Sequence, residues 1–112
     1  MTAAPHAGLD AVFGALADST RRGLFERLLR GGPDTATNLV AGLDVSRQAV
    51  VKHLQVLADA GLVTPRRQGR EVRYAATPEA LTAAVGWMAA TGTQWDRRLD
   101  RLRSRLEKAA TE

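Results

Sequence analysis

The side chains best equipped to do chemistry are basic and amide-bearing ones gathered between Ser46 and Tyr74. Six basic residues stand there against two acidic ones, which matches the net charge of +4 of the whole chain. The segment before it carries a net charge of −1 and the segment after it +1. Guanidinium, ammonium and amide groups bind phosphate oxygens and base edges, so this concentration of charge predicts a polyanionic partner.

Groups suited to catalysis or metal binding are scarce. The 112 residues contain no cysteine and two histidines, His6 and His53. This composition excludes disulfides, thiolate metal sites and cysteine nucleophiles. No glycine-rich phosphate loop, metal-spaced cluster or nucleophile–base pair appears, so we expect no catalytic residue, no metal site and no cofactor. His6 is interpreted as a residue of a loose tail.

The basic and amide-bearing side chains need an element to present them, and residues 46–60 predict a helix. Val50, Leu54 and Leu57 recur at helical spacing and can face a core, while the polar residues point elsewhere. Ser46 is suited to cap the first turn, and Gly61 can adopt the left-handed conformation that ends a helix. A short helix is expected before it, over residues 37–42. Two short helices around a tight connection form a helix-turn-helix, with residues 46–60 as the recognition helix.

After Gly61 the pattern predicts two short strands, Leu62–Arg67 and Glu71–Ala75, joined by Gln68-Gly69-Arg70. Pro65 cannot donate to a sheet ladder, so an edge position suits it. A basic hairpin that follows a helix-turn-helix is a wing, here residues 62–76. Its arginines could reach phosphates or the minor groove, although a solvated hairpin is the simpler alternative.

Two helices are expected before this unit. The first carries an apolar stripe from Leu9 to Leu16. The second begins at Asp18-Ser19 and ends at Gly31-Gly32-Pro33. Asp34 or Thr35 can cap the short third helix. Residues 1–8 are expected to form a flexible N-terminus.

The C-terminal part predicts a long helix over residues 78–108, because Thr77-Pro78-Glu79 has the order of a helix start. Its apolar residues alternate by four and three, as in a heptad repeat of about 37 Å. A second apolar stripe contains Ala80, Ala84 and Trp87. A domain this small cannot bury both stripes alone, so we expect self-association. Gly92 either bends or breaks the helix, or permits a close helix approach. The residues predicted for dimerisation are Leu9, Val12, Phe13, Leu81, Val85, Met88, Trp95, Leu99, Leu102 and Leu106.

Three stretches make the chain resemble the ArsR family of winged helix-turn-helix repressors. Ala11–Leu29 (AVFGALADSTRRGLFERLL) is similar to the family's opening "ALadptRr.iL..L". Val45–Val63 (VSRQAVVKHLQVLADAGLV) is close to its "lsqsavSrHLkvLreAGLV", and Arg66–Pro78 (RRQGREVRYAATP) is similar to its wing. Together these stretches cover roughly residues 9–80, about two thirds of the chain. The tail, with Trp87 and Trp95, resembles members without a metal site.

The resemblance implies a mainly α-helical fold with a small β-hairpin wing and a long C-terminal dimerisation helix. It implies a homodimer that places two recognition helices in successive major grooves of a pseudo-palindromic operator in double-stranded DNA. It also implies repression, frequently of the protein's own operon, released by an inducer whose nature the residues leave open. The family's metal sensors use cysteine pairs or Asp/His clusters; here the helix before the turn has no thiol and the last helix no histidine. We therefore expect no metal sensing.

Individual roles follow from where side chains lie on a helix docked in the major groove. Arg47 and Gln48, in the first turn, could read guanine and adenine. Val51 departs from the family's usual serine and could contact a thymine methyl or simply pack. His53 adjoins the buried stripe and is interpreted as structural or phosphate-contacting. The residues predicted to contact DNA are Thr37, Asn38, Ser46, Arg47, Gln48, Val51, Lys52, His53, Gln55, Arg66, Arg67, Gln68, Arg70 and Arg73.

Two other function classes fit the sequence less well. An enzyme is disfavoured by the missing acid–base inventory. A winged helix used for protein–protein or RNA contact would keep the fold, but it would not need the basic segment. No run approaches the roughly 20 apolar residues that cross a bilayer, and the N-terminus lacks the pattern of a secretory signal. We therefore expect a cytoplasmic protein without a membrane partner.

Overall fold

The computed structural model describes residues 7–111, which form five α-helices, three β-strands and one short 3-10 helix. In chain order these are α1 (Ala7–Leu16), α2 (Ser19–Gly31), β1 (Asp34–Thr35), α3 (Ala36–Val40), α4 (Arg47–Asp59), β2 (Val63–Gln68), β3 (Glu71–Ala76), the 3-10 helix (Pro78–Leu81) and α5 (Thr82–Thr111). The chain divides into two compact units, Met1–Thr82 and Ala83–Glu112. The predicted class, mainly α with a small wing and a long C-terminal helix, is confirmed.

Side-chain caps begin α2, α3 and α4. The Asp18 carboxylate accepts a hydrogen bond from the backbone N–H of Arg21 at 3.0 Å and starts α2. Thr35 accepts from the N–H of Asn38 at 3.2 Å and starts α3. Ser46 accepts from the N–H of Ala49 at 3.1 Å and starts α4. Each cap satisfies a backbone donor that has no partner within its own helix, so the predicted caps Asp18 and Ser46 are confirmed, and of the two candidates for α3 it is Thr35 that caps.

The core of the first unit is built mainly from leucine, valine and alanine, with one phenylalanine. Its fully or nearly buried large side chains come from α1, α2, α3, α4 and the chain entering β2: Val12, Leu24, Phe25, Leu28, Leu39, Val50, Leu54, Leu57, Leu62 and Val63. Burying one such side chain stabilises the fold by about 1.5–3 kcal/mol. The apolar face of α4 predicted from the spacing of Val50, Leu54 and Leu57 is therefore confirmed, which leaves the opposite face of α4 exposed.

The wing belongs to a three-stranded antiparallel sheet with the order β1-β3-β2. β2 pairs with β3 from Val63 opposite Ala76 to Gln68 opposite Glu71. Gly69 turns the hairpin with a positive φ of 65°, and Pro65 lies in an edge strand, as predicted. The short β1 was not predicted, because two residues carry no period that could distinguish a strand from a loop.

Several predicted boundaries are wrong by a few residues. α1 begins at Ala7, so the predicted flexible tail of residues 1–8 is too long, and its first six residues, with His6, lie outside the described part. The third helix covers residues 36–40 rather than 37–42. Pro78–Leu81 forms a 3-10 helix before α5, and the Thr77 hydroxyl hydrogen-bonds the Thr64 hydroxyl at 2.9 Å instead of capping. This contact orients the Thr77 side chain towards β2.

α5 is a single continuous helix of 30 residues that passes through Gly92 and reaches Thr111. The alternative of a break at Gly92 is therefore wrong. The Thr93 hydroxyl donates to the carbonyl of Ala89 at 2.9 Å, so this polar side chain is satisfied within the helix. Between residues 7 and 111, no helix combines the length and apolar character needed to span a bilayer.

Candidate nucleic-acid interface

The helix-turn-helix is joined by a hydrogen bond between two predicted DNA-contacting residues. Nε of Arg47, in the first turn of α4, donates to the Thr37 hydroxyl of α3 at 3.1 Å. Arginine has five N–H donors, so the terminal nitrogens of this guanidinium keep their capacity for other partners. Thr37 therefore orients the side chain of Arg47 at the N-terminal end of the candidate reading helix.

The outward face of α4 is polar and accessible. Ser46, Arg47, Gln48, Lys52 and Gln55 are exposed. Gln55 donates from its amide to the Asp59 carboxylate at 2.8 Å, one turn further along. This face combines two cations, two amides and a hydroxyl, the groups that read base edges and phosphates in the major groove.

A groove of about 480 Å³ separates this helix pair from the wing. Its floor and walls combine residues from α3, α4, the hairpin turn and β3: Thr35, Ala36, Thr37, Asn38, Arg47, Val51, Arg70, Glu71, Val72, Arg73 and Tyr74. The structure thus brings together six predicted DNA-contacting residues from three separate stretches of sequence. Val51 is half-buried at this groove.

The wing concentrates positive charge. Arg66 of β2 lies directly opposite Arg73 of β3, and like charges in such a pair destabilise a sheet. Glu71 lies 3.7 Å from Arg73 and compensates part of this charge. Within residues 7–111, Arg47, Lys52, Arg66 and Arg70 form no ion pair. A polyanion would relieve this repulsion, which suits a phosphate-facing wing.

The remaining wing residues from the prediction are exposed as well. Arg67 donates from Nε to the carbonyl of Gly69 at 3.5 Å, a long contact within the turn. Gln68 ends β2 opposite Glu71, and Arg70 occupies the tip of the hairpin next to Gly69. Of these, Arg70 alone also lines the groove.

Asn38 has a structural partner that the sequence did not reveal. Its amide donates to the Asp34 carboxylate at 2.8 Å, and the same oxygen accepts from the N–H of Thr35 at 2.8 Å. The Asn38 hydrogen bond holds the pKa of Asp34 below its ordinary value against the opposing effect of burial, and Thr35 and the nearby Arg27 and Arg73 lower the pKa further. The side chain of Asn38 therefore ties α3 to the start of β1.

His53 lies apart from the groove. Its Nδ1 is 3.5 Å from Nη1 of Arg21, which in turn donates to the carbonyl oxygens of Ala15 and Gly14 at the end of α1. This contact fits the structural half of its interpretation; the phosphate-contacting half stays a prediction. The imidazole thus links the recognition helix to the junction of α1 and α2.

Three arginines of α2 donate hydrogen bonds to the ends of neighbouring helices, which the sequence did not predict. Arg21 and Arg22 donate to carbonyls in the last turns of α1, and Arg27 donates to the carbonyls of Asn38 and Leu39 at 3.0 and 3.1 Å. Carbonyls at a helix C-terminus lack partners and carry partial negative charge, so cations stabilise them. Helical spacing contains no signal for such contacts, because the accepting carbonyls lie on other elements.

The predicted dimerisation residues differ in how much surface they offer. Val12 is 4% exposed, so it offers almost no surface to a partner in this conformation, and its role in dimerisation stays a prediction. Leu9, Leu81 and Leu99 are half-buried, and Phe13 is 37% exposed. The most exposed members lie on α5: Val85, Met88, Trp95, Leu102 and Leu106, at 49–63%.

Known proteins of similar sequence and structure are transcriptional regulators. A family model described as a helix-turn-helix domain matches residues 16–66. The transcriptional repressor SdpR from Bacillus subtilis is 30% identical over 80 residues, covering 71% of this chain and 88% of SdpR. The crystal structure of an ArsR family transcriptional regulator aligns with a TM-score of 0.75 and 35% identity, over 86% of this chain and 97% of that one. An ArsR-like regulator from Rhodococcus sp. RHA1 aligns with a TM-score of 0.76 and 39% identity, over 88% and 92%.

Proposed function

Because the chain belongs to the ArsR family of transcriptional regulators, we propose that it is a homodimeric repressor that binds a pseudo-palindromic DNA operator through residues 46–60 and the wing. Family membership makes it a regulator with a DNA-binding winged helix-turn-helix, not an enzyme. The name of SdpR supports the repressor role. The observation that carries the proposal is the groove at which α3, the first turn of α4 and the wing arginines meet.

In this proposal the first turn of α4 reads bases. Arg47 binds guanine in a bidentate manner with its terminal nitrogens, and Gln48 binds adenine. Val51 supplies an apolar contact, and Gln55 extends the face. Ser46 and Lys52 bind phosphate, Ser46 with help from the partial positive charge of the helix N-terminus. Thr37 and Asn38 approach the backbone from α3, and His53 acts chiefly by positioning α4.

The wing supplies contacts that do not depend on sequence. Arg66, Arg67, Gln68, Arg70 and Arg73 are proposed to face phosphates or the minor groove, with Arg70 at the tip reaching furthest. The Arg66–Arg73 pair, which Glu71 compensates only in part, supports this assignment, because binding an anion would offset a cost that the free sheet carries.

Dimerisation is proposed through the exposed apolar side chains of α5, together with Leu9 and Phe13 of α1. Side chains that are about half exposed in the protomer, such as Trp95 and Leu102, gain most from a partner. Two copies related by a two-fold axis would present two recognition helices to half-sites about one helical turn apart, 10–10.5 bp.

Metal sensing forms no part of the proposal. The 112 residues contain no cysteine, and within residues 7–111 there is no group of three or more His, Asp or Glu able to hold a metal ion. Release from DNA would then depend on an inducer of other chemistry.

A footprint of the purified protein on the DNA upstream of its own gene tests the proposal. We expect protection of two half-sites one helical turn apart, and anisotropy titrations with that duplex should weaken steeply as salt is raised. Protection of a single unpaired site would contradict the dimeric operator. Absence of any salt-sensitive binding to duplex DNA would contradict the function itself and favour a protein-interaction role.

A further inference from the structure

The charges in the C-terminal half of α5 alternate along the sequence, but the helix places most of the basic residues on one flank and the acidic residues, with Arg103, on the other. At about 100° per residue, Arg98, Arg101 and Arg105 fall within about 60° of one another. Lys108 lies close to this group, which we call the basic flank. The acidic residues of the same stretch, Asp96, Asp100 and Glu107, fall within about 40° of one another on the other side.

The apolar stripe separates the two flanks. Trp95, Leu99 and Leu102 lie between them, and together with the three arginines of the basic flank they line a shallow groove along the helix. A second copy seated on this stripe, as proposed for the dimer, would leave the basic flank at the edge of the contact. The flank therefore borders the apolar stripe and lies at the rim of the contact proposed for the dimer.

Within the described residues, no acidic side chain forms an ion pair with the basic flank. Among residues 83–111, the one ion pair joins Arg103 to Asp100 at 3.8 Å, on the acidic side of the helix. The four cations of the basic flank are exposed and form no ion pair within residues 7–111. Their positions span about ten residues, or about 15 Å of helix.

We propose that the basic flank, Arg98, Arg101, Arg105 and Lys108, is a second nucleic-acid contact that binds the phosphate backbone of duplex DNA. This inference rests on the proposed function, since the duplex is already the ligand of the first unit. Three of the four cations are arginines, whose guanidinium matches phosphate geometry. A row of about 15 Å faces several phosphates of one strand, which are spaced at about 3.4 Å along the duplex axis.

Duplex DNA is favoured over an acidic protein because DNA would already be held by the helix-turn-helix. A duplex that contacts both units would make the second contact intramolecular, at a high effective concentration of phosphate. Phosphate contacts carry no sequence information, so the flank would add affinity without changing which operator is chosen.

Two double variants with the same loss of charge test the inference. Arg101→Gln/Arg105→Gln removes two cations of the basic flank. The control, Arg30→Gln/Arg103→Gln, removes two exposed arginines that are each ion-paired to an acid, Glu26 and Asp100. Anisotropy is measured between about 50 and 200 mM salt, with the operator duplex and with a random duplex of equal length.

We expect the flank variant to flatten the dependence of log K on log salt by about 0.9 for each phosphate that the protein no longer neutralises. The fold-loss in affinity should be the same on both duplexes, and the control should retain the wild-type slope. Equal effects of the two double variants would overturn the inference in favour of a general effect of net charge. Sedimentation should show unchanged self-association in both; a dissociated flank variant would assign the flank to the dimer instead.

Further measurements distinguish an acidic protein partner, a failure of the flank inference and a failure of the proposed function. Polyglutamate that binds the wild type but not the flank variant, with duplex slopes unchanged, would overturn the inference in favour of an acidic protein partner. If Arg70→Ala lowers DNA affinity and the flank variant does not, the flank inference fails while the proposed function survives. If the wild type binds no duplex at all, both fail.

Discussion

Arg47 shows how one residue can serve both the fold and the proposed reading of DNA. Its Nε is committed to Thr37 at 3.1 Å, so the plane of the guanidinium is oriented before any base arrives. Fixing a rotamer-rich side chain in advance lowers the entropy cost of binding, which is about 0.5–1.5 kcal/mol for such a side chain. In the proposed function, Thr37 therefore holds the Arg47 side chain in the orientation in which it reads a base.

We expect Arg47→Ala to relax sequence preference, with a loss of about 1–3 kcal/mol in discrimination between operator and random duplex. Thr37→Val should cause a smaller loss in the same direction, because Arg47 remains but is no longer oriented. Competition anisotropy with the two duplexes measures both. Arg70→Ala is the matched contrast: it should weaken both duplexes equally and flatten the salt dependence. An equal loss on both duplexes for Arg47→Ala would contradict its reading role.

The lowered pKa of Asp34 predicts how the stability of the fold depends on pH. Its pKa is lowered in the folded state, first by the amide of Asn38, so the unfolded chain binds the proton more tightly. Stability contributed by the carboxylate is therefore present above the ordinary value of 3.8 and is lost as the pH falls through the lower folded pKa. Asp18, whose pKa is lowered first by the N–H of Arg21, acts in the same direction.

Urea unfolding between neutral pH and about pH 3 measures this effect. We expect Asp34→Asn to unfold at lower urea concentration at neutral pH and to lose less stability on acidification than the wild type. Asp18→Asn serves as an independent case on a different helix. Identical pH profiles for Asp34→Asn and the wild type would show that this hydrogen-bonded carboxylate does not contribute.

Helical spacing and helix caps gave most of the correct predictions for individual residues. Contacts between residues far apart in the sequence were not predicted. Val50, Leu54 and Leu57 were assigned to the core because a helix repeats every 3.6 residues. The contacts of Arg27 with the end of α3, and of Arg21 with His53, join residues 11 to 32 positions apart. Such contacts depend on how helices pack, which no local pattern encodes.

At the scale of elements, α5 is the feature whose behaviour the sequence left open. The helix is continuous through Gly92, although glycine costs about 1 kcal/mol relative to alanine in a helix interior. Gly86 lies in the same helix on the side opposite the heptad stripe, and a Cβ at either glycine would meet no atom within 4 Å in the protomer. The two glycines differ in whether a partner helix would approach them.

We expect Gly92→Ala to weaken dimerisation, because a Cβ on the heptad stripe would hold the two helices apart. Gly86→Ala should instead stabilise the helix by about 1 kcal/mol and leave dimerisation unchanged. Sedimentation equilibrium and thermal unfolding measure the two effects. If both variants are stabilised alike and dimerise as the wild type does, close approach at Gly92 is excluded.

The small three-stranded sheet was predicted only in part, because one of its strands is too short to show a pattern. The hairpin was visible from its alternation and its glycine turn, whereas β1 pairs with β3 through Asp34 and Thr35 alone. The start of α5 was misjudged for a similar reason, since the partner of Thr77 is Thr64, on a strand 13 residues earlier. The local sequence preferences at β1 and at the start of α5 do not include tertiary partners, and those partners determine the structure there.

At the scale of the whole molecule, two copies are needed for the proposed operator. Leu102 is 52% exposed, so a glutamate there should not disturb the protomer but should oppose burial against a second copy. We expect Leu102→Glu to sediment as a monomer at micromolar concentration and to bind the two-half-site operator far more weakly. Ser104→Glu, two residues away on the opposite side of α5, should remain dimeric. A wild type that is monomeric at this concentration would contradict the dimer.

The pairing of β1 with β3 also bears on the order in which the chain can fold during its synthesis. Asp34 meets Tyr74 roughly forty residues later, and both helices of the helix-turn-helix lie inside the loop that this pairing closes. Contacts between such distant positions form slowly, and they require the second partner to have left the ribosome. The recognition helix is therefore translated before the strand that completes its surroundings. A nascent chain cannot acquire the complete groove until the wing has been made.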